Sequence, residues 1–106
     1  MFKIVYALEN YIVTALGESC QGLGLLPIGS IAACSSLVSI FRDHYPTISY
    51  RYQVYLSDRP SGCYAMTNRA WQNRDFGIYF NAHSSGAGIP ETRALCKGLG
   101  GKRSIL

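Results

Sequence analysis

The sequence predicts an α+β domain in which one amphipathic helix packs on an antiparallel sheet of about four strands, stapled by two disulfides. Three observations lead there. Several segments alternate apolar and polar residues with period two; one segment after Ser30 repeats its apolar residues at helical spacing; and four cysteines stand far apart, at positions 20, 34, 63 and 96. A chain of 106 residues is one domain with a thin core that gains from covalent or partner support. Eight Tyr, four Phe and one Trp, with few charges, exclude a disordered chain. Residues 1–97 are expected to form the domain, and residues 98–106, glycine-rich and basic, a frayed tail.

Phe2, Ile4, Tyr6 and Leu8 alternate with Lys3, Val5 and Ala7, which predicts a strand, continued after a kink at Glu9 and Asn10 by residues 11–16. Gly17 ends it. The segment ESCQGLGLLPIG, residues 18–29, holds three glycines and Pro27 and reads as an irregular connection that brings Cys20 near the next element. A helix is predicted over residues 30–43. Ser30 is a good N-cap, Ile31, Cys34, Leu37, Val38 and Phe41 fall on one face, and Ser35, Ser36 and Ser39 lie on the other. His44, Tyr45 and Pro46 close it, because the residue before proline is pushed out of the α region.

The clearest strand is residues 48–56, with Ile48, Tyr50, Tyr52, Val54 and Leu56 set against Arg51, Gln53 and Tyr55. SDRPSG then turns the chain, with Pro60 and Gly62 well placed in it. Cys63 and Tyr64 open a short strand, residues 68–74 form a polar loop holding Trp71, and Phe76, Ile78 and Phe80 alternate with Gly77 and Tyr79 as the hairpin partner. A second loop, AHSSGAGIPE, leads to TRALCKG.

Net charge is +4, and an ordinary solvated surface accounts for it. The N-terminus begins like a signal peptide, with Lys3 before apolar residues, but Glu9 and Asn10 interrupt the run, so no intact targeting signal is expected. Residues 19–41 are uncharged and long enough to cross a bilayer on count alone. Gln21, Pro27, Gly22, Gly24, Gly29, Ser30, Ser35, Ser36 and Ser39 dilute them, so a transmembrane span is disfavoured.

No two cysteines lie closer than fourteen residues, which excludes the local thiolate pairs that structural zinc requires; no metal site is expected. Wide spacing and even number fit two disulfides in an extracellular or organelle-lumen domain, against the alternative of four buried free thiols in a reducing compartment. Three connectivities are open. The nested one is preferred, since Cys34 on the buried helix face can meet Cys63 in the strand beneath it, leaving Cys20 to fasten the connection to Cys96.

Gly17 before Cys20, the helix start Ile28-Gly29-Ser30-Ile31, Cys34, PSGCY, YFN followed by HSSGAG, and a closing LCK together resemble a four-cysteine module of predicted secreted or lumenal proteins of unicellular algae. The resemblance covers residues 11–97. It implies disulfide pairing and an exported or lumenal setting, and carries no established activity.

Catalysis is not expected. His44 or His83 could serve Cys63 or Cys96 as base, but no local signature accompanies them, and bridged cysteines are not nucleophiles. SSGAG, residues 84–88, lacks the lysine and following helix of a phosphate loop. Asp43, Asp58, Asp75 and Glu91 form no readable acid/base pair, and Asp43 and Asp75 are expected to pair with neighbouring arginines. No cofactor is implied.

Two non-enzymatic readings remain. In the first, the domain is a structural or accessory subunit of a larger assembly, held to a protein partner by the solvent side of the strand at residues 48–56, with Arg51 and Tyr55. In the second it binds a glycan or small ligand through Trp71, flanked by Arg69 and Arg74. Nucleic-acid binding is disfavoured, because basic and aromatic residues interleave without a dense basic run or an RNP-like signature.

Overall fold

The computed structural model describes residues 4–7, 10–42, 48–67 and 76–98. Among them are six strands, β1 (Ile4–Ala7), β2 (Tyr11–Thr14), β3 (Ser49–Val54), β4 (Gly62–Thr67), β5 (Phe76–Asn81) and β6 (Thr92–Lys97), with one α-helix, α1 (Ile31–Phe41), and a 3₁₀ turn at Gln21–Leu23. The strands form one sheet in the order β1-β2-β6-β4-β5-β3. The α+β class holds. The sheet is wider than the four strands expected, and it is mixed, because β3 pairs with β5 in parallel while the other pairs are antiparallel.

Helix α1 begins where its cap predicts. Ser30 is extended and its Oγ accepts a hydrogen bond from the Ala33 N–H at 3.1 Å. Cys34, Leu37, Val38 and Phe41 turn inward at spacings of three and four residues, while Ile31, expected on the same face, stays exposed in the first turn. Ser35, Ser36 and Ser39 return their hydroxyls to carbonyls three residues back. The predicted end at Asp43, the closing residues His44 to Pro46 and the 98–106 tail beyond Gly98 lie outside the described residues.

The uncharged stretch at residues 19–41 is broken by the 3₁₀ turn and by Pro27, which bridges to Cys96. Helix α1 has eleven residues, a length of about 16 Å against a hydrocarbon core of about 30 Å. Among the described residues no helix is long and apolar enough to cross a membrane.

The sheet separates two hydrophobic clusters. Under α1 lie Tyr11, Val13, Ile28, Cys34, Leu37, Val38, Phe41, Ile48, Cys63, Ile78 and Leu95. On the opposite face Ile12, Cys20, Leu25, Ala94 and Cys96 are covered by the 3₁₀ turn and its flanks. Strand β6 divides them, with Leu95 facing the helix and Ala94 and Cys96 facing the turn.

One disulfide closes each cluster, Cys34–Cys63 beneath the helix and Cys20–Cys96 beneath the turn. The nested connectivity is therefore the one the chain adopts, and all four sulfurs are fully buried.

Three assignments change. Residues 4–14 do not form one kinked strand: Ala7 pairs with Ile12, so β1 and β2 are a hairpin. TRALCKG, which carries no period of its own, supplies β6, flanked by β2 and β4. The strict alternation expected over residues 48–56 fails inside β3, because Tyr50 pairs with Ile78 but Gln53 pairs with Phe80, leaving one extra residue on β3.

The loops closed by Cys34–Cys63 and Cys20–Cys96 span 29 and 76 residues. Loop-closure entropy then predicts that each bridge stabilises the fold by about 3 to 5 kcal/mol. Replacing Cys34 and Cys63 together by alanine should lower the urea-unfolding free energy by about 3 kcal/mol or more. Non-reducing peptide mapping should return only the Cys20–Cys96 and Cys34–Cys63 linked fragments.

Candidate functional site

The face opposite α1 is covered over β2 and β6 by the 3₁₀ turn, and over β4, β5 and β3 it is surfaced by tyrosines and arginines. The extra residue in β3 sets this up, since it turns Arg51 and Tyr52 in succession toward the same side. Tyr52 meets Tyr79 edge to face, with ring centroids 5.2 Å apart at 87°. The Arg51 side chain lies across β5 at Gly77. A Cβ there would stand 2.7 Å from Arg51 Cγ and 2.8 Å from Tyr79 Cε1, so glycine makes room for both side chains.

Tyr64 and Tyr79 are directly opposed across the β4–β5 ladder, and their rings stack at 5.3 Å and 13°. Tyr64 forms the floor at 2% exposure, Tyr79 is half-buried, and Tyr52 stands out at 59%.

Arg59 reaches this cluster from the β3–β4 connection. Its guanidinium acts electrostatically on the Tyr64 phenol and pairs with Asp58 at 3.1 Å. Burial pushes the Tyr64 phenol up to about 12, Arg59 opposing the rise. Burial also raises the Tyr79 phenol, with Tyr52 adding to the shift and Arg51 and Arg59 drawing it back. Neutral hydroxyls and two guanidinium groups therefore share one surface, which can stack flat groups and pair with oxyanions.

Of the sequence-predicted contact residues, Arg51 joins this face. Tyr55 does not; it lies beyond β3, 71% exposed, with its ring 4.8 Å from that of His83. Trp71, Arg69 and Arg74 lie outside the described residues, on the segment joining the paired ends Thr67 and Phe76. Tyr52, Tyr64, Tyr79 and Arg59 were not among the predicted contacts. The available signal was Gly77 in the aromatic-rich strand FGIYF, where a missing side chain marks a close approach.

PSGCY, YFN and HSSGAG converge on a different place, a buried corner built around Asn81, which is 1% exposed. Asn81 Oδ1 accepts from the N–H groups of Leu56 and His83, at 3.0 and 3.1 Å, and its Nδ2 donates to the carbonyls of Leu56 and Arg59, at 2.7 and 3.0 Å. Ser61 donates to the His83 carbonyl and accepts from the Gly86 N–H. A Cβ on Gly86 would collide with the Arg59 carbonyl oxygen at 1.9 Å, and one on Gly88 would meet the Gly17 carbonyl oxygen at 2.5 Å. Gly86 and Gly88 are thus packed against carbonyl oxygens, a lining that repels an anion, while Ser84, Ser85 and Ala87 are exposed.

The nucleophile alternative is closed by the bridges, which leave no free thiol at Cys63 or Cys96. His83 uses Nδ1 to accept from the Ser85 N–H at 3.2 Å, and His44 lies outside the described residues. Asp58 pairs with its neighbour Arg59, while Asp43 and Asp75, expected to do likewise, lie outside the described residues. Among the described residues no group of three or more His, Cys, Asp or Glu could hold a metal ion. A groove of about 550 Å³ beside α1 is lined by Ile28, Ser30, Ala33, Leu37, Ile40 and Lys97 among others, and the Ser30 hydroxyl there is already used by the cap.

Comparison with protein-family models, curated proteins and solved structures finds no match to this chain.

Two outcomes are expected. Asn81→Ala removes four hydrogen bonds and strands buried backbone groups, which should cost about 2 to 4 kcal/mol in urea unfolding with little change in the Tyr–Arg face. Because the Tyr64 phenol is higher in the folded than in the unfolded chain, its contribution to stability is intact below about pH 10 and lost as pH rises toward about 12. Absorbance titration at 295 nm should show a late-ionising tyrosine that Tyr64→Phe removes.

Proposed function

We propose that this chain is a non-enzymatic module of an extracellular or organelle-lumen compartment, acting as a structural or accessory subunit of a larger assembly. Its protein partner docks on the Tyr–Arg face of β4, β5 and β3. The observation that carries the reading is Tyr52, largely exposed beside Arg51 and braced from below by the Tyr79–Tyr64 stack. Tyrosine and arginine are the residues that interface centres favour, and a braced ring loses little freedom when covered.

The compartment rests on the two buried disulfides, which persist where thiols are not continuously reduced. Kinship with the algal four-cysteine modules is part of the proposal and rests on the sequence signature PSGCY, YFN and LCK.

A second reading, binding of a glycan or small ligand through Trp71, draws support from chain connectivity. The segment holding Trp71 rejoins the sheet at Phe76, next to Gly77 and the overlying Arg51.

Size-exclusion chromatography of native extracts checks the assembly reading. The chain, 11.7 kDa alone, should elute in a larger complex, and the double variant Arg51→Ser/Tyr52→Ser should be released from it while staying folded, with an unfolding free energy lower by no more than about 2 kcal/mol. Recovery of the wild-type chain as a free monomer under gentle, low-salt conditions would falsify the reading.

A further inference from the structure

We infer that the partner presents an acidic, carboxylate-bearing segment of protein to this face, with Arg51 and Arg59 as its charge anchors and Tyr52 and Tyr79 as its stacking platform. The inference rests on the assembly reading and adds the chemistry of what docks.

Three features of the face select that chemistry. The Arg51 side chain lies beside the Tyr79 ring over Gly77, and the charges of both Arg51 and Arg59 oppose the upward shift of the Tyr79 phenol. Only Arg59 has a carboxylate partner among the described residues, and that partner, Asp58, is 70% exposed, so the pair is solvent-screened. The stem of Arg51 rests in the space left by Gly77, which holds its guanidinium over β5 and lowers the ordering cost of an ion pair. An incoming carboxylate accepts hydrogen bonds from planar guanidinium donors.

Charge also decides against a second copy of this chain. A two-fold contact through the same face would set one arginine-bearing surface against another, and like charges across an interface are disfavoured. An acidic segment meets no such barrier, and the net charge of +4 favours its approach.

The test uses the full chain with both disulfides formed and three probes: a capped ten-residue peptide alternating Glu and Ala, its Gln–Ala counterpart, and an oligogalacturonate of similar length. Binding is followed by fluorescence anisotropy and by backbone amide shifts. The Glu–Ala peptide should bind at least about tenfold more tightly than either other probe, weaken as salt rises from about 50 to about 500 mM, and shift the amides of Arg51, Tyr52 and Tyr79. Arg51→Gln, at an exposed position, should weaken it by about tenfold with the fold retained. Equal binding of the Gln–Ala peptide, an unchanged affinity in Arg51→Gln, or tighter binding of the oligogalacturonate would each overturn the inference. A native complex that withstands both high salt and Arg51→Gln would overturn it too while leaving the assembly reading standing, whereas a monomer in native extracts defeats the assembly reading itself.

Discussion

Strand β6 is buried on both faces, and the rest of the fold is arranged to make that possible. Leu95 points to the helix side and Ala94 and Cys96 to the turn side, so one strand supplies two cores at once. Neither core is thick. A single three-turn helix closes one and an irregular turn closes the other, and each cover is tied down by a disulfide, Cys34–Cys63 or Cys20–Cys96. The turn depends on its bridge most, because a 3₁₀ segment of three residues buries none of them by itself. Without Cys20–Cys96, the conformational entropy of residues 18–28 would work directly against the cover over Ile12 and Ala94.

The open half of the sheet follows from the same economy of covering elements. The turn reaches over β2 and β6 and no element among the described residues covers β4, β5 and β3 on that side, so the side chains of those strands must seal the sheet themselves. Tyr64 does this at the floor, stacked under Tyr79 with the charge of Arg59 acting on its phenol. A tyrosine suits the place because its ring buries like a core residue while its hydroxyl retains a partner. The surface that results is aromatic below and cationic at the rim. That is why its stabilising role and its proposed docking role fall on the same residues.

The residues that carry the resemblance to the algal four-cysteine module build a corner. PSG, YFN and HSSGAG are distant in the chain, yet Ser61, Asn81, Gly86 and Gly88 meet where three connections cross. Their residue types follow from close packing: glycine where a Cβ would strike a carbonyl, asparagine where two donors and two acceptors of the backbone converge, serine where one hydroxyl must serve on both sides. A glycine-rich loop that cradles an anion turns its N–H groups inward. This one meets carbonyl oxygens.

Residues 31–41 could be read as a helix because their cap and their three-and-four spacing are local, and the β4–β5 hairpin because Phe76, Ile78 and Phe80 alternate with Gly77 and Tyr79 one polar loop after the strand opened by Cys63. The preferred cysteine pairing needed one further inference, that the buried face of α1 rests on the strand opened by Cys63, and the structure bears it out. Local pattern failed where burial is two-sided or shared. Strand β6 has no alternation because both its faces are covered. The place of β3 at the sheet edge, parallel to β5, is set by a crossover no short segment encodes. One extra residue in β3 moved Tyr52 from the expected core face to the open face beside Arg51, and a register shift of that kind is decided only by the strand it pairs with. The sequence by itself thus determined the helix, the hairpin and the composition from which two bridges could form. Strand order, register and the meeting of Arg51, Arg59, Tyr52, Tyr64 and Tyr79 came only with tertiary structure, because each depends on contacts between residues far apart in the chain.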